Sequence, residues 1–98
     1  MYVVYILRCA DQSLYIGRTG DMAARLREHN EGRGSTYTAA RRPVVLAYQE
    51  PFDTEAAADR RERQLKRWST AKKEALVRGD TGSVRRLAMR RIFDRKHH

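Results

Sequence analysis

Tyr2-Val3-Val4-Tyr5-Ile6-Leu7-Arg8-Cys9, then Ala10-Asp11-Gln12-Ser13, then Leu14-Tyr15-Ile16-Gly17-Arg18-Thr19: the fold turns on these eighteen residues. The first run is rich in Val, Ile and Tyr and apolar at successive positions, which suits a central strand covered on both faces. Asp11-Gln12-Ser13 is turn chemistry, and Leu14 to Thr19 reads as a second short strand, so the stretch predicts a β-hairpin. Its register matters. If Asp11–Ser13 is a three-residue turn, Ala10 faces Leu14 and Cys9 faces Tyr15. Tyr5, an even number of residues from Cys9, then shares a face with Tyr15. A two-residue turn at Asp11-Gln12 would put the two tyrosines on opposite faces. The three-residue turn is the expectation here, and it requires Gln12 to fit where glycine is usual.

Outward from the hairpin, Asp21 is placed to cap a helix in which Met22, Leu26 and His29 recur at helical spacing. That helix stops at Asn30–Gly34, and Asn30 is read as a stop signal. A glycine-rich polar loop runs on to Tyr37. Pro43 breaks the chain before a third strand, Val44 to Gln49. Thr54 can cap a helix to about Trp68, with Ala56, Ala57, Leu65 and Trp68 on its inner face. Ser69 can cap another through Val77, closed by Gly79. A last helix near Ser83–Phe93 would place Val84, Leu87, Ala88 and Ile92 on one stripe. The expected class is α+β, with a three-stranded antiparallel sheet flanked by helices in the order β-β-α-β-α-α plus a C-terminal helix. Residues 1–79 are read as one domain, and residues 80–98 as a basic helix and tail packed on it.

The chain has 98 residues, 41% of them hydrophobic, enough for one modest core. It has no apolar run near the ~18 residues of a membrane helix. It opens without the leader pattern of a secretory signal, and its lone Cys9 cannot form an internal disulfide. A buried thiol, a cytoplasmic setting and no membrane partner are the expectations. The net charge is +9 and the pI about 10.4. The charge is uneven: residues 1–59 sum to −1, while residues 60–98 carry fourteen Lys/Arg against four Asp/Glu. A basic half of this kind suits a polyanion, because Lys and Arg release condensed counterions from phosphates.

Val3-Val4-Tyr5, followed ten residues later by Tyr15-Ile16-Gly17, resembles the paired motif of the GIY-YIG nuclease domain. The resemblance continues through Arg25, eight residues past Gly17, and His29, four further on. It then reaches Glu62 within Arg60-Arg61-Glu62-Arg63-Gln64-Leu65-Lys66. It spans roughly residues 2–77 and is nearest the small stand-alone bacterial members, related to the excision-repair incision subunit and to junction-specific nucleases. The chain departs from the motif at Val3, where the family has glycine.

The resemblance implies metal-dependent endonucleolytic hydrolysis of a phosphodiester, most plausibly of DNA, directed by structure and serving repair or recombination. Such chemistry needs an activated water and a cation against developing charge. Glu62 is then a ligand for one Mg²⁺ or Mn²⁺, which commonly takes one or two carboxylates and keeps its waters. Arg25 becomes the phosphate clamp, its fork sharing a helix face with His29. Tyr5 and Tyr15 would position or deprotonate the water. His29, titrating near neutrality, is a candidate base or leaving-group contact.

Arg18, Arg33, Tyr37, Arg41, Arg42 and Lys66 are the expected nucleic-acid contacts, the loop from Gly32 to Arg42 forming a lip over a strand. Cutting both strands would call for a homodimer or a protein partner. Two other classes fit the same charge: a nucleic-acid-binding module without catalysis, and an adaptor subunit. The residues alone leave DNA against RNA open.

Overall fold

A computed structural model describes residues 1–79. Val84 to Ile92 and the basic tail therefore lie outside the described residues. The chain divides into two compact units, Met1–Lys66 and the stretch from Arg67 onward.

The first unit is α+β. Strands β1 (Tyr2–Arg8), β2 (Leu14–Thr19) and β3 (Val45–Phe52) form one antiparallel sheet in the order β2-β1-β3. Helices α1 (Met22–Asn30), α2 (Thr36–Ala39) and α3 (Glu55–Lys66) complete it. β1 is central, which accounts for its apolar character at successive positions. Val4 and Ile6 are buried on one face, and Tyr5, Leu7 and Cys9 on the other. Met22 and Leu26 of α1 close over the Tyr5 face. Cys9 is a buried free thiol, as expected.

The hairpin turn differs from the expectation in place but not in parity. Leu7 pairs with Tyr15 and Arg8 with Leu14, two residues out of the predicted register. The loop is Ala10-Asp11-Gln12, closed by Cys9 N–H donating to the Ser13 carbonyl at 2.9 Å and Gln12 N–H to the Cys9 carbonyl at 3.0 Å. Gln12 takes the left-handed position at φ 72°, where glycine would be less strained. Ser13 is free to leave the loop because the Asp11 carboxylate accepts from its backbone N–H and its hydroxyl. A shift of two residues preserves side-chain facing, so Tyr5 and Tyr15 share a face as predicted.

Asp21 caps α1 by accepting from Ala24 N–H at 3.1 Å, and Thr54 caps α3 by accepting from Ala57 N–H at 3.2 Å. Within the predicted loop a short helix, α2, intervenes, capped by Ser35. β3 is longer than expected. It is an edge strand, so it tolerates Pro51, which needs no ladder N–H. A bulge between Ile6 and Leu7 leaves Ala47 as the extra residue. α3 buries Ala58, Glu62 and Leu65, while Ala56 is exposed and the helix ends at Lys66, before Trp68. The predicted inner face held at Leu65 and partly at Ala57, failed at Ala56, and left out Ala58 and the Glu62 that occupies the middle of the buried stripe. In the second unit, Ser69 caps α4 (Thr70–Val77) and Gly79 follows it at φ 73°.

Candidate active site

The Tyr5 face of the sheet carries the chemistry. Tyr5 stands opposite Gly17 across the ladder, and its phenol lies on the Gly17 backbone. A Cβ there would strike the Tyr5 Oη and stand 2.6 Å from Cζ. The Gly of Tyr15-Ile16-Gly17 is thus a seat for the Tyr5 ring. Tyr5 is 1% exposed.

His29 is the only fully buried residue of α1. Its Nε2 lies 2.8 Å from Tyr5 Oη and its Nδ1 2.8 Å from Thr38 Oγ1. Its ring meets Tyr5 and Tyr15 edge-on, at 5.7 and 5.2 Å between centroids. Burial, and then the nearby Arg25 charge, push its pKa below 6.5, so His29 is neutral at neutral pH. Tyr5 is displaced the other way. Burial raises its pKa above 10, the Arg25 hydrogen bond opposes this, and the charges of Tyr15 and Glu62 add to it. A neutral phenol therefore faces a neutral imidazole, so the Tyr5–His29 contact is a hydrogen bond between uncharged groups.

Arg25 closes the pair from above. Its Nε donates to Tyr5 Oη at 3.4 Å, Nη1 to Glu28 at 3.0 Å and Nη2 to the Gly34 carbonyl at 3.0 Å. Arg27 is exposed, on a different face of α1 from Arg25 and His29.

A second cluster lies along α3. Arg18 Nη1 donates to Asp59 Oδ1 and Glu62 Oε1, each at 2.8 Å, and Nη2 lies 3.5 Å from Glu55. Lys66 Nζ holds the other Glu62 oxygen at 2.7 Å. Glu62 is 8% exposed with each oxygen carrying a cation, an arrangement that holds a charged carboxylate in place. Among the described residues no group of three His, Cys, Asp or Glu could enclose a metal. A single hard carboxylate such as Glu62 still fits a Mg²⁺-like ion that keeps most of its waters, provided Arg18 and Lys66 yield an oxygen.

The loop residues form a third group. Tyr37 stacks on Tyr15 at 6.0 Å, and the Arg41 guanidinium lies 3.7 Å over the Tyr37 ring. Arg41 also pairs with Asp11 at 3.0 Å. Arg33 pairs with Glu31 at 2.7 Å, and Arg42 donates to the Ala39 carbonyl at 3.0 Å. Tyr5, Tyr15, Arg25 and His29 are thus brought together, with Tyr37 and Arg41 beside them, while Arg18 and Lys66 gather on Glu62.

Residue-pattern reading missed several participants. Thr38 and Gly34 hold His29: a Cβ at Gly34 would strike the imidazole. The Ser35-to-Thr38 spacing, that of a helix cap, was the available signal. Asp59 shares Arg18 with Glu62. Asn30 does more than end a helix, because its amide donates to the Val44 carbonyl at 2.9 Å and accepts from Val44 N–H at 2.8 Å.

The fold and site define a small α+β domain with a tyrosine–histidine–arginine centre and a helix-borne glutamate held by Arg18 of β2. Residues 1–75 match the model of the GIY-YIG catalytic domain, and the chain belongs to that family, one of nucleic-acid-cleaving nucleases. It is similar to small stand-alone proteins named only as UPF0213. One from Natronomonas pharaonis is 47% identical over 81 residues, covering 83% of this chain and 95% of that protein. One from Staphylococcus haemolyticus is 46% identical over 76 residues, covering 78% and 93%. The solution NMR structure of a UPF0213 protein from Bacillus halodurans aligns with TM-score 0.52 and 41% identity, over 79% of this chain and 83% of that one. No helix among the described residues is long and apolar enough to cross a membrane.

Proposed function

We propose that this chain is a metal-dependent endonuclease that hydrolyses DNA phosphodiesters, chosen by the structure of the nucleic acid and serving repair or recombination. The observation that carries the reading is the Tyr5 hydroxyl held between buried His29 Nε2 at 2.8 Å and Arg25 Nε at 3.4 Å. A phenol is a poor base at neutral pH. It becomes a useful one when, as it takes a proton, its own proton has a neutral imidazole to go to.

As the water oxygen bonds to phosphorus, its proton passes to the Tyr5 oxygen and the Tyr5 proton passes to His29 Nε2. The bond from phosphorus to the leaving oxygen breaks, and that oxygen takes a proton from solvent. Arg25 moves from Tyr5 onto the phosphate, which uncovers the buried hydroxyl and clamps two phosphate oxygens. Tyr15, half-buried beside His29, orients the water. Glu62 would hold one Mg²⁺ or Mn²⁺, which supplies charge against the developing oxyanions. Arg18 and Lys66, released from Glu62, are then available to phosphates. Tyr37 with Arg33, Arg41 and Arg42 grips the strand, a base replacing Arg41 over the Tyr37 ring as Arg41 turns to a phosphate.

The test is incubation with single-stranded, duplex, flap and four-way-junction DNA in Mg²⁺, Mn²⁺ or EDTA, with Glu62→Gln alongside. Metal-dependent cutting that Glu62→Gln lacks, with binding retained at ~0.15 M salt, is the expected result. Salt-sensitive binding without cutting under either metal would replace the enzyme by a binding module.

A further inference from the structure

His29 is 0% exposed, and so is Thr38. The protons between them follow from the two ends of the chain they belong to. At one end Arg25 Nε, which can only donate, points to Tyr5 Oη at 3.4 Å. At the other the Ser35 carbonyl, which can only accept, lies 3.3 Å from Thr38 Oγ1. A hydroxyl has one proton to give. With the Tyr5 oxygen accepting from Arg25, its proton is free for His29 Nε2. With the Thr38 proton on the Ser35 carbonyl, the Thr38 oxygen accepts from His29 Nδ1. Ser35 Oγ, 2.9 Å from Thr38 Oγ1, already accepts from Thr38 N–H at 3.1 Å, which holds the cassette closed. One arrangement gives every proton in the row an acceptor, with all donors running one way: Arg25 to Tyr5, Tyr5 to His29, His29 to Thr38, Thr38 to the Ser35 carbonyl.

We propose that Thr38 is a positioning residue that fixes His29 in its Nδ1–H tautomer and thereby makes Nε2 the acceptor of the Tyr5 proton. This rests on the Tyr5–His29 reading above and assigns the segment from Gly34 to Thr38 a purpose beyond gripping a strand. Gly34 lets its backbone lie against the imidazole, where any side chain would displace the ring. When His29 takes the proton, Thr38 already accepts from Nδ1, so the imidazolium forms without rearrangement. The other neutral tautomer would place the proton on Nε2, so that Nε2 could not take one from Tyr5.

The test reads the tautomer directly. ¹⁵N-labelled full chain, without nucleic acid, is compared by long-range ¹⁵N–¹H NMR at neutral pH with Thr38→Ser and Thr38→Val. Wild type and Thr38→Ser should both show His29 with Nδ1 protonated and Nε2 bare. Thr38→Val should shift population to Nε2–H, and kcat should fall on the order of 10²-fold with KM unchanged. Thr38→Ser should keep near-wild-type kcat. An Nε2–H tautomer in wild type, or an unchanged tautomer in folded Thr38→Val, overturns the proposal. Should Thr38→Val fail to fold, the wild-type and Thr38→Ser spectra still decide. A Thr38-dependent Nδ1–H tautomer in a chain that cuts nothing overturns the nuclease reading and supports the Thr38 assignment, so the two failures are distinguishable.

Discussion

Gly17 and Tyr5 face each other across the β1–β2 ladder, and the Tyr5 phenol occupies the place where a side chain on residue 17 would begin. The glycine is therefore tied to the tyrosine's position rather than to the strand. Gly17→Ala is expected to push the Tyr5 hydroxyl off His29 Nε2, destabilise the fold by about 1–3 kcal/mol and abolish cleavage. Urea unfolding and a cleavage assay check both. An active Gly17→Ala chain would show that Tyr5 need not rest there.

The Tyr5–His29 pair sets a pH dependence. Burial depresses the His29 pKa below its unfolded 6.5, so the unfolded chain binds the proton more readily. Stability present above pH 6.5 should therefore fall as pH drops through that value toward the folded pKa. Cleavage should fall with it, because protonated His29 cannot accept from Tyr5. The urea midpoint between pH 8 and pH 5 should drop more steeply in wild type than in His29→Gln. Parallel slopes would mean that His29 is not the group responsible.

Arg25 makes three directed hydrogen bonds, to Tyr5, Glu28 and Gly34. A lysine keeps the charge and loses the fork. Arg25→Lys should lower kcat by about 10²-fold while the urea midpoint changes little. A comparable loss in stability would make Arg25 a structural residue instead.

Arg33 is exposed and among the described residues its guanidinium engages only Glu31, so it is available to a phosphate. Arg33→Ala should lower the slope of log affinity against log salt for duplex DNA by about 0.9, with kcat unchanged once binding saturates. An unaltered slope would remove Arg33 from the interface.

Asn30 ties the end of α1 to Val44 through two hydrogen bonds. Asn30→Leu would leave both Val44 backbone groups unpaired and should cost about 1–3 kcal/mol. The displaced α1 terminus should loosen His29, so cleavage and stability should fall together across a urea series.

The strands, the caps at Asp21, Thr54 and Ser69, and the shared face of Tyr5 and Tyr15 were legible in the residues. Those features depend on local chemistry: β-branched runs, capping side chains, and an alternation whose parity survives a register error of two. The resemblance supplied Arg25, His29 and Glu62 as a set. What only the tertiary structure decided are contacts between residues far apart in the chain. Gly17 seats Tyr5, Thr38 holds His29, and Asp59 shares Arg18 with Glu62. Glu62 was missed from the buried stripe of α3 for the same reason, since it is buried against Arg18 from a distant strand, while Leu65 was read correctly. Periodicity reports how a side chain meets water. The direction of a buried proton depends on which donors and acceptors the fold brings within 3 Å, and no local pattern carries that.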